Sequence, residues 1–195
     1  MKKILLTGFE PFGGQTVNPS WQMVQGVREP ARMTVVRALL PVTFRGSMTV
    51  LSRLMAQEKP DAVLCTGQAG GRDKMTVELL GVNLMDASIP DNEGVQPHDE
   101  KIAPDGPDAL FATVPVEAMV QAMRQAGVPA GRSLSAGLYV CNRVLYGALL
   151  QAGREGPRCG FVHVPFLPEQ AAGSDRPSLP LRAMIDALEA ALTVL

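Results

Sequence analysis

Residues 33–66 hold the pattern that decides the fold: an apolar run, Met33-Thr-Val-Val-Arg-Ala-Leu-Leu40, a longer segment from Phe44 to Gln57, and a second apolar run, Ala62-Val-Leu-Cys-Thr66. Both short runs have the length and composition of buried strands. In the segment between them the apolar residues recur at helical spacing, and Pro60 follows its end. This order predicts a strand, a crossover helix and a second strand parallel to the first.

The same alternation extends outward in both directions. Before the central unit, Lys2–Thr7 is predicted to be a strand and Ser20–Val27 a helix. After it, the predicted elements are a helix opened by Pro115 and closed before Gly127, the strand Ser133–Cys141, the helix Asn142–Ala152, the strand Gly160–Val164 and the helix Leu181–Leu195. Such alternation predicts an α/β fold, namely a three-layer α/β/α sandwich with a mostly parallel twisted central sheet. We expect residues 1–195 to form a single domain.

Two stretches interrupt this alternation. Val77–Ala87 is predicted to be extended and to form a hairpin with residues near Ile89. Residues 91–113 combine prolines and glycines with acidic side chains, which predicts a long irregular excursion on the surface.

Composition excludes several classes of protein. The chain has 18 Lys and Arg residues against 19 Asp and Glu residues, so it lacks the basic surface that nucleic-acid binding requires. No apolar stretch approaches the roughly 20 residues of a membrane-spanning helix. The cysteines Cys65, Cys141 and Cys159 form an odd number, which favours reduced thiols over a disulfide framework. We therefore expect a cytoplasmic protein with neither nucleic acid nor a membrane as a partner.

Three residues could form a nucleophilic site. Cys141 stands at a predicted strand-to-helix junction, where the helix N–H groups and dipole favour a thiolate. His163 lies in the last apolar strand, where it could act as a base, and Glu78 could orient its imidazole. Each also has an ordinary interpretation: a small buried apolar residue for the cysteine, a satisfied core residue for the histidine and a solvent-facing strand charge for the glutamate.

The remaining thiols and the second imidazole are weaker candidates. Cys65 is predicted to be a buried apolar residue, Cys159 a loop thiol and His98 a solvated loop residue. Among the possible cysteine–histidine pairs, only Cys141 with His163 places both members at the ends of predicted central strands.

The sequence contains no complete motif for binding a cofactor or a metal. Gly8-Phe-Glu-Pro-Phe-Gly13 has the glycine spacing of a phosphate-binding loop, but Gly14 and Gln15 stand where Lys and Ser or Thr are required. No spacing of His, Cys and carboxylate residues fits zinc. We expect neither a metal nor a cofactor.

Five motifs occur in order along nearly the whole chain: Thr7-Gly-Phe-Glu-Pro-Phe-Gly-Gly14 with Asn18-Pro19, Gly67-Gln-Ala-Gly-Gly-Arg72, Ile89-Pro-Asp-Asn-Glu-Gly-Val-Gln-Pro97, Ser135-Ala-Gly-Leu-Tyr-Val-Cys-Asn142 and His163-Val-Pro-Phe-Leu-Pro168. Together they closely resemble the pyroglutamyl peptidase I family, also called pyrrolidone carboxyl peptidases. The resemblance implies a cofactor-free cytosolic cysteine peptidase that removes N-terminal pyroglutamate from peptides. It also implies an α/β/α fold that assembles as a homotetramer.

The resemblance assigns roles to particular residues. It places the catalytic triad on Cys141, His163 and Glu78, and it associates the position of Ser88 with the oxyanion region. The backbone N–H of Cys141, at the start of a predicted helix, would be the first oxyanion donor. It implies that substrate is bound by Phe9, Phe12, Asn18, Gln68, Ile89, Tyr139 and Val140. Because the amine of pyroglutamate is locked in an uncharged lactam, its ring can be buried, whereas an ammonium in the same pocket would lose its hydration without compensation.

One departure from the family pattern leaves other functions open. The family usually has Arg before Ile-Pro-Asp-Asn, and this chain has Ser88, a shorter and neutral donor. A catalytically weak module that binds pyroglutamyl peptides without cutting them is therefore an alternative. The sandwich architecture by itself would also fit a hydrolase or phosphorylase acting on a nucleoside-like ring.

Overall fold

The computed structural model describes all residues from 1 to 195 and is built around a six-stranded sheet. In chain order the elements are β1 (Lys2–Phe9), α1 (Pro19–Gly26), β2 (Met33–Leu40), α2 (Gly46–Glu58), β3 (Ala62–Gln68), β4 (Met75–Glu78), β5 (Leu80–Val82), β6 (Ala109–Phe111), α3 (Val116–Gln125), β7 (Ala130–Ser133), α4 (Val140–Ala152), β8 (Arg158–Val164), α5 (Pro168–Ala171) and α6 (Leu181–Leu192).

The central sheet has the strand order β2-β1-β3-β8-β4-β7. The pairs β1–β2, β1–β3, β3–β8 and β4–β7 are parallel, whereas β4 runs antiparallel to β8. The predicted α/β class with a mostly parallel sheet is therefore confirmed. The one reversal matters for the site, because it places His163 of β8 opposite Thr76 of β4.

Helices cover both faces of the sheet and give it the predicted three layers. On one face, α1, α3 and α6 contribute apolar side chains such as Met23, Met119 and Leu188 to the larger core. On the other face, α2 and α4 form a second core that includes the fully buried Phe161. Every residue of β3 is buried, as expected for a strand that is covered on both sides. None of the helices is both long and apolar enough to cross a membrane.

The predicted strand Ser133–Cys141 is wrong. Extended structure ends at Ser133, because β7 pairs with β4 alone and that strand offers it only four residues. Gly137 then adopts a φ of 75°, a left-handed conformation that ends any extended run and that glycine adopts without strain. Helix α4 starts at Val140, so Cys141 lies inside the first helical turn instead of at the end of a strand.

The predicted hairpin of Val77–Ala87 with residues near Ile89 is also wrong. β5 pairs antiparallel with β6, which lies inside the 91–113 segment that was expected to be irregular throughout. The three residues of β6 are too few to stand out as a strand pattern among the surrounding prolines and glycines. The Cys159 prediction fails too, because this thiol is fully buried in β8 and does not lie in a loop.

Candidate active site

Cys141 is held at the start of α4 by its neighbour in the chain. The buried side chain of Asn142 accepts a hydrogen bond from the Val82 N–H at 2.9 Å and donates to the carbonyls of Val82 and Leu84, each at 2.9 Å. The first turn of the helix is thereby anchored to the end of β5 and the residues that follow it. The backbone N–H of Cys141 makes no hydrogen bond to a main-chain carbonyl, as expected for the open N-terminus of a helix.

The sulfur of Cys141 lies directly over β3, at a position that only glycine leaves free. A Cβ added to Gly67 would lie 3.0 Å from Cys141 Sγ and 2.9 Å from the Phe161 ring. Gly67 is the register partner of His163 on the neighbouring parallel strand, and such strands are about 4.8 Å apart. The sulfur and the imidazole are therefore close neighbours on the same face of the sheet, although no hydrogen bond joins them.

His163 forms a buried pair with Glu78. Its Nδ1 lies 2.7 Å from Glu78 Oε1, and both side chains are almost completely buried. Because a carboxylate accepts hydrogen bonds, this contact places the ring proton on Nδ1 and leaves Nε2 as the basic nitrogen. The Phe161 ring, with its centroid 4.7 Å from that of the imidazole, packs beside it.

Arg72 adds a positive charge to this buried pair. The Arg72 guanidinium donates from Nη1 to Glu78 Oε1 at 2.7 Å and to the Thr76 hydroxyl. Its Nη2 donates to the carbonyl of Ser135 at 3.1 Å. We define Arg72, Glu78 and His163 as the charged cluster of the site.

Burial sets the protonation of the reacting groups. It lowers the pKa of His163 below its ordinary 6.5, because burial outweighs the opposing effect of Glu78. Although Cys141 is partly exposed, protein atoms crowd its sulfur; this burial, together with the Glu78 carboxylate, raises the pKa of the thiol to about 12. Burial of the sulfur thus opposes the thiolate that the helix N-terminus was expected to favour. The resting pair is a neutral thiol and a neutral imidazole.

A small apolar cavity opens beside Cys141. It is lined by Phe9, Phe12, Asn18, Val42, Gln68, Tyr139, Val140 and Cys141, none of which carries a formal charge. Six of the seven residues predicted to bind substrate thus lie around one space. Larger depressions exist elsewhere, but the one around Lys59 and Glu155, for example, is open and shares no residue with the site.

Several contacts hold the cavity walls in place. The Tyr139 hydroxyl donates to the Pro90 carbonyl at 3.0 Å, and its ring packs edge-on against Phe44 with centroids 5.3 Å apart. Across the cavity, Phe12 lies 6.2 Å from Tyr139, centroid to centroid. The Asn92 amide donates to the Pro11 carbonyl at 3.0 Å and so ties the loop that carries Phe12 to the 88–92 segment.

Asn18 and Gln68 are both engaged by other parts of the protein. Asn18 donates to the Glu10 carbonyl at 2.9 Å and accepts from the backbone N–H and the hydroxyl of Ser20, so it braces the first loop and caps α1. The Gln68 side-chain oxygen accepts from the Gln170 amide at 3.0 Å.

Two predicted site residues stand apart from the cavity. Ile89 is 42% exposed and is not among the lining residues. Ser88 is exposed and makes no hydrogen bond, so nothing in the fold directs its hydroxyl towards Cys141. The neighbouring Asp91 is buried instead, and its carboxylate accepts from the backbone N–H groups of Phe44, Glu93 and Val95.

Comparison with known proteins supplies the family. Residues 2–195 match the family model described as pyroglutamyl peptidase. The chain belongs to this family. Among its curated members, the pyrrolidone-carboxylate peptidase of Thermococcus onnurineus is 49% identical over 191 residues, which cover 96% of this chain and 95% of that protein. The pyrrolidone-carboxylate peptidase of Streptomyces coelicolor is 50% identical over 98% of this chain and 91% of that protein.

Solved structures of the family share the fold. The crystal structure of pyroglutamyl peptidase I from Bacillus amyloliquefaciens superposes with a TM-score of 0.95 at 41% identity, covering 100% of this chain and 96% of that chain. The pyrrolidone carboxyl peptidase of Thermococcus litoralis gives a TM-score of 0.95 at 41% identity, with coverage of 100% and 93%.

Sequence reasoning missed the residues that hold this family site in shape. The sequence shows Arg72 only as the last residue of the Gly67-Gln-Ala-Gly-Gly-Arg72 motif, whereas its side chain binds the carboxylate of Glu78. Asn142 was treated as the first residue of a helix, although its buried amide anchors the nucleophile's turn. The available signal was a polar amide directly after the cysteine, in a helix whose residues are mostly apolar.

Proposed function

We propose that the protein is a cysteine peptidase that hydrolyses the bond between an N-terminal pyroglutamyl residue and the rest of a peptide. The observation that carries this proposal is the position of Cys141, which lies between an uncharged cavity and a buried Glu78–His163 pair. Family membership supports the same reaction.

The geometry supports a sequence of steps. As Cys141 Sγ attacks the pyroglutamyl carbonyl, its proton passes to His163 Nε2, while Glu78 accepts the Nδ1 hydrogen bond and stabilises the imidazolium. The unpaired N–H of Cys141 is available as a donor to the oxyanion. The imidazolium then protonates the leaving amine, which leaves a thioester on Cys141. Water, activated by the neutral imidazole, hydrolyses the thioester and releases pyroglutamate.

The cavity explains why the substrate would be a cyclised N-terminus. Phe9, Phe12 and Val42 surround it with apolar surface, and each methylene of the ring contributes about 0.8 kcal/mol when it is buried there. A free N-terminal ammonium would find no carboxylate among the lining residues, which costs several kcal/mol. Peptides with an uncyclised N-terminal glutamate or glutamine should therefore be rejected.

A fluorogenic pyroglutamyl amide tests the proposal. We expect hydrolysis by the wild-type protein and none above background by Cys141→Ala. Cys159→Ala is the matched control, because it removes a buried thiol outside the site, and its folded fraction should keep wild-type turnover. Equal turnover by wild type and Cys141→Ala would contradict the proposal.

A binding module that does not cut is the second candidate. It is favoured by the exposed, unbonded Ser88 and by the high pKa of the Cys141 thiol, which both weaken the case for fast chemistry. Tight binding of a pyroglutamyl peptide to the wild-type protein, without release of pyroglutamate over many hours, would support this second function against the first.

We further infer that the protein works in a reducing compartment, the cytoplasm, as a single catalytic domain formed by residues 1–195. The mechanism requires a free thiol, and none of the three cysteines is paired. The homotetramer that the family resemblance implies stays a prediction, which sedimentation equilibrium can test on the full chain.

A further inference from the structure

The Arg72 guanidinium shares one oxygen with the catalytic imidazole. Glu78 Oε1 accepts from Arg72 Nη1 at 2.7 Å and from His163 Nδ1 at 2.7 Å. The other oxygen, Oε2, is buried without a partner. Two nitrogen donors therefore converge on one oxygen of the carboxylate.

The contacts of Arg72 also fix its own position. Its second nitrogen donates to the Ser135 carbonyl, which lies in the loop between β7 and α4, and Nη1 also reaches the Thr76 hydroxyl on β4. Arginine suits this place because its planar fork can bind several acceptors at once, whereas lysine offers a point charge.

Glu78 needs this partner because its side chain is fully buried. A buried carboxylate is costly unless a positive charge compensates for it, and a neutral imidazole supplies none. The guanidinium of Arg72 supplies this positive charge through its ion pair with Glu78.

We propose that Arg72 is a positioning residue of the peptidase: by binding Glu78 Oε1, it keeps the carboxylate ionised and aimed at His163 Nδ1, so that Nε2 stays neutral and basic. The consequence of this role for catalysis rests on the proposed function. The effect of Arg72 on the protonation of the Glu78–His163 pair is independent of that function.

Arg72 is the charged partner of the Glu78–His163 pair, because the other groups around the pair are uncharged at neutral pH. Cys141 faces it from α4 and the Ser133 hydroxyl from β7, and Cys65 of β3 lies near Cys141. Burial raises the pKa of both thiols to about 12, so neither is charged at neutral pH. The neighbours of Arg72 in the chain, Asp73 and Lys74, are exposed and pair with each other at 3.7 Å.

Proton NMR of the imidazole Cε1–H signals tests the role of Arg72 directly. The chain has only two histidines, so His163 can be followed against the exposed His98 as an internal reference. In Arg72→Gln, the Glu78–His163 pair should take up its proton at a pH higher by about one unit or more, since a nearby opposite charge shifts a pKa by that amount. The His98 midpoint should not move.

Two further variants separate charge from shape. Arg72→Lys keeps the charge and should return the His163 midpoint towards the wild-type value, while kcat stays lower because the fork to Ser135 is lost. Arg124→Gln is the matched control, since Arg124 also donates to the backbone at β7, at the Ala130 carbonyl, without reaching Glu78. It should leave both the midpoint and kcat unchanged.

The acid limb of kcat/KM should move with the His163 midpoint in Arg72→Gln. A folded Arg72→Gln protein with an unshifted His163 midpoint would overturn the proposal, as would a uniform loss of kcat/KM at every pH. If Arg72→Gln does not fold, an unchanged kcat in Arg72→Lys overturns the positioning role. Because the NMR titration needs no turnover, a shifted midpoint in a protein that hydrolyses no pyroglutamyl amide would refute the proposed function and leave the Arg72–Glu78 linkage standing.

Discussion

The two sides of Cys141 differ in almost every physical respect. On one side lies a cavity with apolar walls and no charged side chain, built from Phe9, Phe12 and Tyr139. On the other side lies the charged cluster of Arg72, Glu78 and His163, joined by short hydrogen bonds and largely buried. The difference suggests a division of labour, in which one side selects an uncharged ring and the other moves a proton.

The comparison predicts that changes on the charged side alter kcat, whereas changes on the apolar side alter KM. Four predictions test it, beginning with the largest effect.

Glu78→Gln should lower kcat by roughly 10³-fold or more while KM changes little. The amide keeps the shape of the side chain, but it can donate to Nδ1 and so favour the wrong imidazole tautomer, an effect known to be of this size in a related triad. Steady-state kinetics with a pyroglutamyl amide measure it. Glu117→Gln, on an exposed part of α3, is the control. A rise in KM with kcat unchanged would contradict the predicted difference between the two sides.

The pH dependence of kcat/KM should show an acid limb with its midpoint below 6.5. Burial lowers the pKa of His163, and the free enzyme needs this imidazole neutral, so activity is lost as pH falls through the lowered value, by about tenfold per unit. Glu78, whose pKa is also lowered despite its burial, stays ionised over this window. A midpoint above 6.5 would mean that the cluster favours the imidazolium, contrary to the neutral resting pair.

Phe12→Ala should raise KM by roughly tenfold and leave kcat nearly unchanged. The half-buried ring lines the cavity, and its loss removes apolar contact worth about 1–2 kcal/mol with the bound lactam. The matched control is Phe111→Ala, which truncates a 67% exposed phenylalanine on β6. If kcat fell while KM held, Phe12 would belong to the chemistry and not to recognition.

Tyr139→Phe should produce the smallest change, a rise in KM of a few fold. It keeps the ring against Phe44 and removes the hydrogen bond to the Pro90 carbonyl, worth about 1 kcal/mol. Tyr146→Phe loses a comparable bond, to the Pro107 carbonyl at 2.8 Å, outside the site. Thermal unfolding and KM should therefore separate the two variants, since Tyr146→Phe should lower stability alone.

The sequence predicted the parts of the molecule where one signal dominates. The strands Lys2–Thr7 and Met33–Leu40 were found because continuous apolar runs are typical of covered parallel strands. The pairing of Glu78 with His163 was predicted, but the contact of Arg72 with Glu78 was not, because it depends on side-chain packing next to β4 that a sequence does not display.

Local patterns failed where long-range contacts decide the structure. The apolar run ending in Cys141 looked like a strand, yet Asn142 and the turn at Gly137 make it the start of a helix. The burial that raises the pKa of Cys141 could not be predicted either, because the helix N-terminus is visible in a sequence and the crowding of the sulfur is not.

Mass spectrometry of the protein quenched in acid during turnover tests the central claim most directly. With excess pyroglutamyl ester as substrate, we predict a pyroglutamyl adduct on the peptide that contains Cys141, and its loss in Cys141→Ala. An adduct on Cys65 or Cys159, or turnover with no adduct at any time, would contradict the claim that the Cys141 sulfur attacks the substrate.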